Sequence, residues 1–490
     1  MASVKHDLIH GVFWSAVEKY SGVIIGICIS MVLARLLSPK EYGVVAIAVV
    51  FINFISMFCT MGIGPAVIQR KDLTPKDINI IFTFTLIVGL VLGAIFFSCS
   101  WWISDFYKMP ILVPVCQILS LQVFFSAANM VPNALMSRDK HFKNLARRNL
   151  TLQVICGPLA IVAAYYGAGV YALLISPTIT STCIFLWNRH YYPVKIVCKL
   201  FNFSPIKKIF SFSLYQFLFD FVNYFSRNFD KLIISKAINI TALGIYDVSY
   251  RLMQYPMQNI SFVINPVLQP VLKDLQDDKV GLSREYNKII KFLATLSFPI
   301  GIMCFFLASE LIHVFCGNKW DAAIPVFRVL ALSLPFQMIF ATQGSIFTVC
   351  NNTKLLFGNG MRNMIVTLSG FVLAAIIFRT IVAVAWAWTL THIFNFGCTY
   401  WLMYRYALKA PLKPMLKEFL RPALILILLG GILVVANHLL KDTPDIVSLI
   451  VKLVITFLAS VILIHITKQY NIIQLIKKKV SKQDAKNVSI

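Results

Sequence analysis

Apolar stretches of membrane-crossing length fill this chain almost from end to end. A helix needs about 20 mostly apolar residues to cross a hydrocarbon core of ~30 Å at 1.5 Å per residue. Such stretches fall near 11–34, 43–66, 79–103, 111–134, 149–166, 169–188, 209–235, 242–269, 289–315, 322–350, 359–379, 381–404, 420–438 and 446–467. That makes roughly fourteen spans. With 58% hydrophobic and only 13% charged residues, the 490-residue chain falls outside the composition of soluble globular proteins. In lipid the backbone must satisfy its own hydrogen bonds, so the predicted class is an all-α integral membrane protein.

A net charge of +25 would suit nucleic acid if the Lys and Arg shared one face. They gather instead in alternate loops. The segments 135–148, 189–208, 270–288 and 405–421 and the tail Lys477-Lys478-Lys479 are basic, whereas 104–110, 167–168 and 316–321 are short and carry little net charge. Basic loops stay on the cytoplasmic side, so both termini are expected there. Glu18 and Lys19 interrupt the first apolar segment and no convincing cleavage site follows, so the N-terminus is expected to persist as the first helix. The 11 cysteines are scattered, with no CxxC or Cys/His cluster, and read as packing residues. No metal, cofactor or nucleic-acid partner is expected, and no glycine-rich phosphate loop signals ATP hydrolysis.

The chain also repeats itself. ARLLSPKEYGVVA ahead of the second span corresponds to SKAINITALGIYD ahead of the eighth, aligning Tyr42-Gly43 with Leu243-Gly244. Leu119-Ser120-Leu121 likewise corresponds to Leu330-Ala331-Leu332. The expected organisation is therefore two six-helix lobes in parallel orientation, 1–200 and 201–410, around a central cavity. Residues 411–490 add two further helices and a basic tail. Parallel repeats of this kind are a usual basis for alternating access.

Charges inside spans carry the functional signal, because each costs about 2.5–3.5 kcal/mol at the bilayer centre on insertion scales. Ten lie in or near span interiors: Glu18, Lys19, Asp220, Arg227, Asp230, Lys231, Asp247, Arg251, Glu310 and Arg328. On the seventh span Asp220, Asn223, Tyr224, Arg227, Asp230 and Lys231 recur at helical spacing. On the eighth, Asp247, Arg251, Gln254, Gln258, Asn265 and Gln269 do the same. The two helices run antiparallel, which places Lys231 level with Asp247 and Arg227 level with Arg251. One reading makes Lys231–Asp247 and Asp230–Arg251 bridges that pin the helices together. The other uses Arg227, Arg251, Lys231 and Lys19 to hold an anion, with Asn223, Gln254 and Gln258 serving a sugar. Glu18, Asp220, Asp230 and Asp247 are candidates for ion coupling or for pairing, and Glu310 and Arg328 read as interfacial structure.

FWSAVEKYSGVIIGICISMVLARLLSPKEYG with MGIGPAVIQRKDLTPKDI resembles the opening of bacterial lipopolysaccharide and polysaccharide exporters of the colanic-acid type. ALMSRDKHFKNLARRN, GAGVYAL and NFDKLIISKAINITALGIYDVSYRLMQYP, leading to NPVLQPVLKDLQDD, extend the likeness over about 8–410. These exporters belong to the multidrug/oligosaccharidyl-lipid/polysaccharide exporter superfamily. The resemblance implies a flippase of the inner membrane that carries an undecaprenyl-pyrophosphate-linked oligosaccharide to the periplasmic leaflet. Membrane lipid and polysaccharide-assembly proteins are the other implied partners. It also implies cavity cations for the pyrophosphate, a role it gives to Arg227, Lys231 and Arg251, with Lys19 in the first helix where other branches carry an Arg.

Two rivals stand beside that expectation. An ion-coupled multidrug antiporter of the same superfamily would need acidic or aromatic lining for a cationic drug. A membrane-embedded polysaccharide polymerase or ligase would need positioned acids or a metal in a water-exposed compartment. The short outer loops and dispersed histidines do not offer one.

Overall fold

The computed structural model describes residues 2–60, 63–69, 73–197, 224, 228–467 and 469; Asp220, Asn223 and Arg227 lie outside them. Among the described residues every regular element is helical, and eleven helices are long and apolar enough to cross a membrane. The expected seventh span falls mostly outside the described residues. Two further long helices, Phe142–Tyr165 and Ile240–Lys273, are diluted by polar side chains and fall outside those eleven. The protein is a multi-pass membrane protein.

Packing divides the chain into two units, 1–247 and 248–490. The first holds α1 (Ala2–Leu36), α2 (Pro39–Thr60), the short α3 (Ile63–Gln69), α4 (Pro75–Tyr107), α5 (Leu112–Arg138), α6 (Phe142–Tyr165), α7 (Val170–Tyr191), α8 (228–237) and the start of α9 (Ile240–Lys273). A capping box starts α4: Thr74 Oγ1 accepts from Asp77 N, the Asp77 carboxylate accepts from Thr74 N, and Pro75 occupies the first turn. Within this unit α4 packs along α5, α5 on α2 and α7, and α6 on α1 and α7. Small residues permit a close approach of α4 and α5, since a Cβ on Gly89 of α4 would lie 2.7 Å from the Ala127 Cβ of α5.

The second unit continues α9 and adds α10 (Lys279–Phe306), α11 (Ala308–Cys316), α12 (Ala323–Phe340), α13 (Gln343–Val349), α14 (Thr353–Ile377), α15 (Ile381–Leu402), α16 (Lys413–Leu439) and α17 (Asp445–Ile466). Here α10 packs on α12, α12 on α15 and α14 on α15. That order of neighbours reproduces α4–α5, α5–α7 and α6–α7, so the repeat read from sparse sequence matches reappears as a packing pattern. The helices α16 and α17 lie outside it, with α16 on α10 and α17 on α16 and α11.

The repeat is most direct at its aligned glycines. A Cβ on Gly43 would lie 1.9 Å from the Ile240 carbonyl oxygen, and one on Gly244 would lie 1.9 Å from the Pro39 carbonyl oxygen. Pro39 and Ile240 are themselves aligned, each heading its helix, so the first turns of α2 and α9 meet reciprocally, backbone on backbone. Only glycine permits that approach. The preceding residues are aligned too, and both cap: Ser38 Oγ accepts from Glu41 N, and Asn239 Oδ1 accepts from Ala242 N at 2.7 Å.

Four features depart from the apolar stretches. Helix α6 starts at Phe142 and α14 at Thr353, both earlier than their stretches, because helices run on through polar residues that end a hydropathy window. The stretch 289–315 divides at Leu307 into α10 and α11, and 322–350 divides at Ala341-Thr342 into α12 and α13. Near the first break, a Cβ on Gly301 of α10 would lie 2.7 Å from the Pro335 ring of α12.

Candidate functional site

The turn between α8 and α9 is only two residues, Ile238 and Asn239, so residues equidistant from it face each other. Lys231 Nζ accordingly lies 2.8 Å from Asp247 Oδ1, and the Asp247 side chain is fully buried. Asp230, 1% exposed, accepts from the Tyr246 hydroxyl at 3.0 Å and from the Lys231 backbone N–H at 2.8 Å. The expected Lys231–Asp247 bridge is thus present, and Asp230 is engaged by a phenol and a main-chain donor. Removing one partner of such a buried pair costs about 3–5 kcal/mol, because the other charge is then stranded.

The remaining sequence-predicted residues are dispersed. In the first unit Glu18 is half-buried and accepts from Asn149 Nδ2 at 2.5 Å, while Lys19 beside it is exposed. In the second unit Arg251, Gln254 and Gln258 share one face of α9 by their spacing, and Gln258 Nε2 donates to Gln254 Oε1 at 2.9 Å. Arg251 and Gln258 are exposed and Gln254 is half-buried.

Three charged groups escaped the sequence reading. The first is Arg148, assigned there to the basic loop 135–148 but placed by the early start of α6 inside the helix bundle, 3% exposed. Its Nη1 donates to Asn133 Oδ1 at 2.8 Å and to Asn188 Oδ1, and its Nε and Nη2 donate to Asn149 Oδ1 at 3.0 and 2.9 Å. Asn188 in turn donates to Asn129 and Asn133. Asn149 therefore ties Glu18 of α1 to this cluster. The second is Lys452 in the middle of α17. Glu310 is no interfacial group but 7% exposed, ion-paired with Lys452 and hydrogen-bonded by Ser448 Oγ at 3.0 Å. The reason is α11, whose first turn buries Glu310 against α17, whereas Arg328 faces outward on α12. The third is Arg362 of α14, whose Nη2 donates to Asn359 Oδ1, Asn363 Oδ1 and Thr399 Oγ1 at 2.8, 2.7 and 3.0 Å. The signal available for two of the three was the dipeptide Arg-Asn, present at 148–149 and 362–363 as well as at 227–228.

These groups divide by what holds them. Lys231 and Lys452 sit against carboxylates and fasten helices to one another. Arg148 and Arg362 sit among amides and a hydroxyl, which orient a guanidinium without cancelling its charge. Among the described residues no group of three His, Cys, Asp or Glu is placed to hold a metal ion.

A sequence profile described as polysaccharide biosynthesis protein matches residues 32–325. Teichuronic acid biosynthesis protein TuaB of Bacillus subtilis is 24% identical over 437 residues, covering 88% of this chain and 89% of that protein. Succinoglycan biosynthesis transport protein ExoT of Rhizobium meliloti is 22% identical over 324 residues, 65% of each chain. Among solved structures, the lipid II flippase MurJ in its inward closed conformation is similar with a TM-score of 0.71 at 15% identity, over 93% of this chain and 98% of that one. At that identity the likeness is one of fold.

Proposed function

This chain belongs to the polysaccharide biosynthesis protein family, and on that footing we propose that it moves a lipid-linked oligosaccharide across the membrane by alternating access. It carries the saccharide on undecaprenyl pyrophosphate, from the cytoplasmic to the periplasmic leaflet of the inner membrane, with both termini cytoplasmic. The lobes 1–200 and 201–410 are the parts that rock. Arg227 and Arg251, aided by Lys231 and Lys19, meet the pyrophosphate, and Asn223, Gln254 and Gln258 meet the sugar.

The observation that carries the reading is the polar face of α9. Arg251, Gln254 and Gln258 hold a cation and two amides on one stripe of α9, which the sequence reads as a span. A stripe of that kind is tolerated in a span only against protein or water. The names of two relatives, one a transport protein and both concerned with polysaccharide assembly, point the same way. A carrier for so large a headgroup needs amides and fixed cations rather than a reactive centre. The Gly43–Gly244 contact holds the starts of α2 and α9 together, and in this proposal it is a contact that must part for gating.

Depletion of the protein in cells tests this. Lipid-linked oligosaccharide then accumulates in the cytoplasmic leaflet, and surface polysaccharide falls in proportion. Accumulation of short periplasmic saccharide units instead would indicate a defect in polymerisation and reject the proposal.

A further inference from the structure

Two of the three Arg-Asn dipeptides, at 148–149 and 362–363, lie on helices that correspond in the repeat, yet their guanidinium groups are treated differently. In the first unit Arg148 donates from Nε, Nη1 and Nη2 to asparagine oxygens, and Nη1 also to the Met136 sulfur at 4.0 Å. Its side chain is enclosed and saturated, which makes it a structural post. In the second unit Arg362 lies about one turn further into its helix. Among the described residues all its hydrogen bonds leave from Nη2, while Nε is buried and has no acceptor. No carboxylate pairs with it among the described residues. A cation in a span with most of its fork unused is an incomplete site.

The approach to Arg362 is open. Lys354, Gly358 and Arg362 follow one another at four-residue spacing and so share one face of α14. Lys354 is exposed at the start of the helix, about 12 Å from Arg362 along the axis. Between them, a Cβ on Gly358 would meet nothing within 4 Å, and neither would one on Gly344 of the adjoining α13. The face therefore presents an outer cation, a bare stretch of backbone and a deeper planar cation whose orientation is already set by Asn359, Asn363 and Thr399. Asn359 is 3% exposed and is itself held by Gln343. The positioning is fixed before any ligand arrives.

We propose that Arg362 binds a phosphate group of an amphiphile that approaches along the Lys354–Gly358–Arg362 face. A phosphate oxygen takes Nη1, which makes no hydrogen bond among the described residues and is not enclosed as Nε is, and Lys354 supplies a point charge at the entrance. The same chemistry belongs to a pyrophosphate carrier and to the headgroup of an anionic phospholipid. This site lies apart from the α9 stripe and is read by binding alone. A protein that binds phosphate at Arg362 but moves no saccharide would uphold this inference and sink the transport proposal.

The test uses the full-length protein in phosphatidylcholine nanodiscs, with binding followed by the rise in thermal unfolding temperature. One arm titrates inorganic pyrophosphate; the other incorporates phosphatidylglycerol in steps. Stabilisation by pyrophosphate identifies a free phosphate head as sufficient, and stabilisation by phosphatidylglycerol alone identifies a lipid headgroup. Arg362→Gln, which keeps a donor toward Asn359, is expected to weaken the responding probe at least tenfold. Gly358→Leu is expected to do the same by filling the open approach while leaving Arg362 intact, and it carries the test if the first variant folds poorly. Unchanged affinity in Gly358→Leu and in folded Arg362→Gln, or no response of the native protein to either probe, overturns the proposal.

Discussion

At the scale of single residues, the charges that the sequence places inside spans are of two kinds, and each kind predicts its own response. Lys452 and Glu310 neutralise one another between α17 and α11. Lys452→Met leaves a carboxylate in an apolar interface and is expected to destabilise the folded protein by about 3–5 kcal/mol. Adding Glu310→Gln should recover most of that loss, because the pair goes together. Denaturation of the native protein and the two variants in detergent measures both steps, and equal effects of the single and double changes would contradict the pairing. Arg227 and Arg251 are proposed to act on substrate instead. The double variant Arg227→Ala, Arg251→Ala is expected to stay in the membrane at normal level and to abolish surface polysaccharide; normal polysaccharide would remove both from the anion site. The Lys231–Asp247 bridge was legible in the sequence, because antiparallel helices joined by a short turn equate depth with distance from that turn. Arg148 and Lys452 were not. A hydropathy window stops at the first and averages over the second, so neither registers as a charge inside the fold.

At the scale of elements, helix ends decide more than helix centres. The caps at Ser38 and Asn239 start α2 and α9 at corresponding points, and the glycines five residues after each cap let those starts touch. Gly43→Ala or Gly244→Ala places a methyl group on a facing carbonyl oxygen, so the two first turns must separate. Either substitution is expected to reduce surface polysaccharide severalfold while the protein still inserts, as read by polysaccharide yield against membrane level. Undiminished export would mean that the contact plays no part in gating. Element boundaries were the least legible feature of the sequence. The breaks at Leu307 and at Ala341-Thr342 interrupt apolar runs that carry no local stop signal, and they arise where α11 and α13 turn to meet other helices. Reporter fusions test the proposed orientation: cytoplasmic activity is expected after residues 200 and 410 and periplasmic activity after 240. A periplasmic signal after 200 would contradict it.

At the scale of the whole molecule, the repeat organises both sequence and packing. A few matched residues about 200 positions apart sufficed to suggest it, and the repeated neighbour order of α4–α7 and α10–α15 gives it physical form. The asymmetry between the halves is where function enters: a saturated guanidinium in one unit, an open one in the other, and a polar stripe on α9. The account rests on a membrane body that moves a phosphorylated saccharide lipid. The direct measurement is reconstitution of the purified protein into liposomes carrying a lipid-linked oligosaccharide in the inner leaflet alone, followed by a membrane-impermeant glycosidase or lectin outside. The account predicts exposure of the saccharide at a rate that rises with the amount of protein and is lost in Arg227→Ala, Arg251→Ala. Exposure at the protein-free rate, with the native protein folded and inserted, would contradict it.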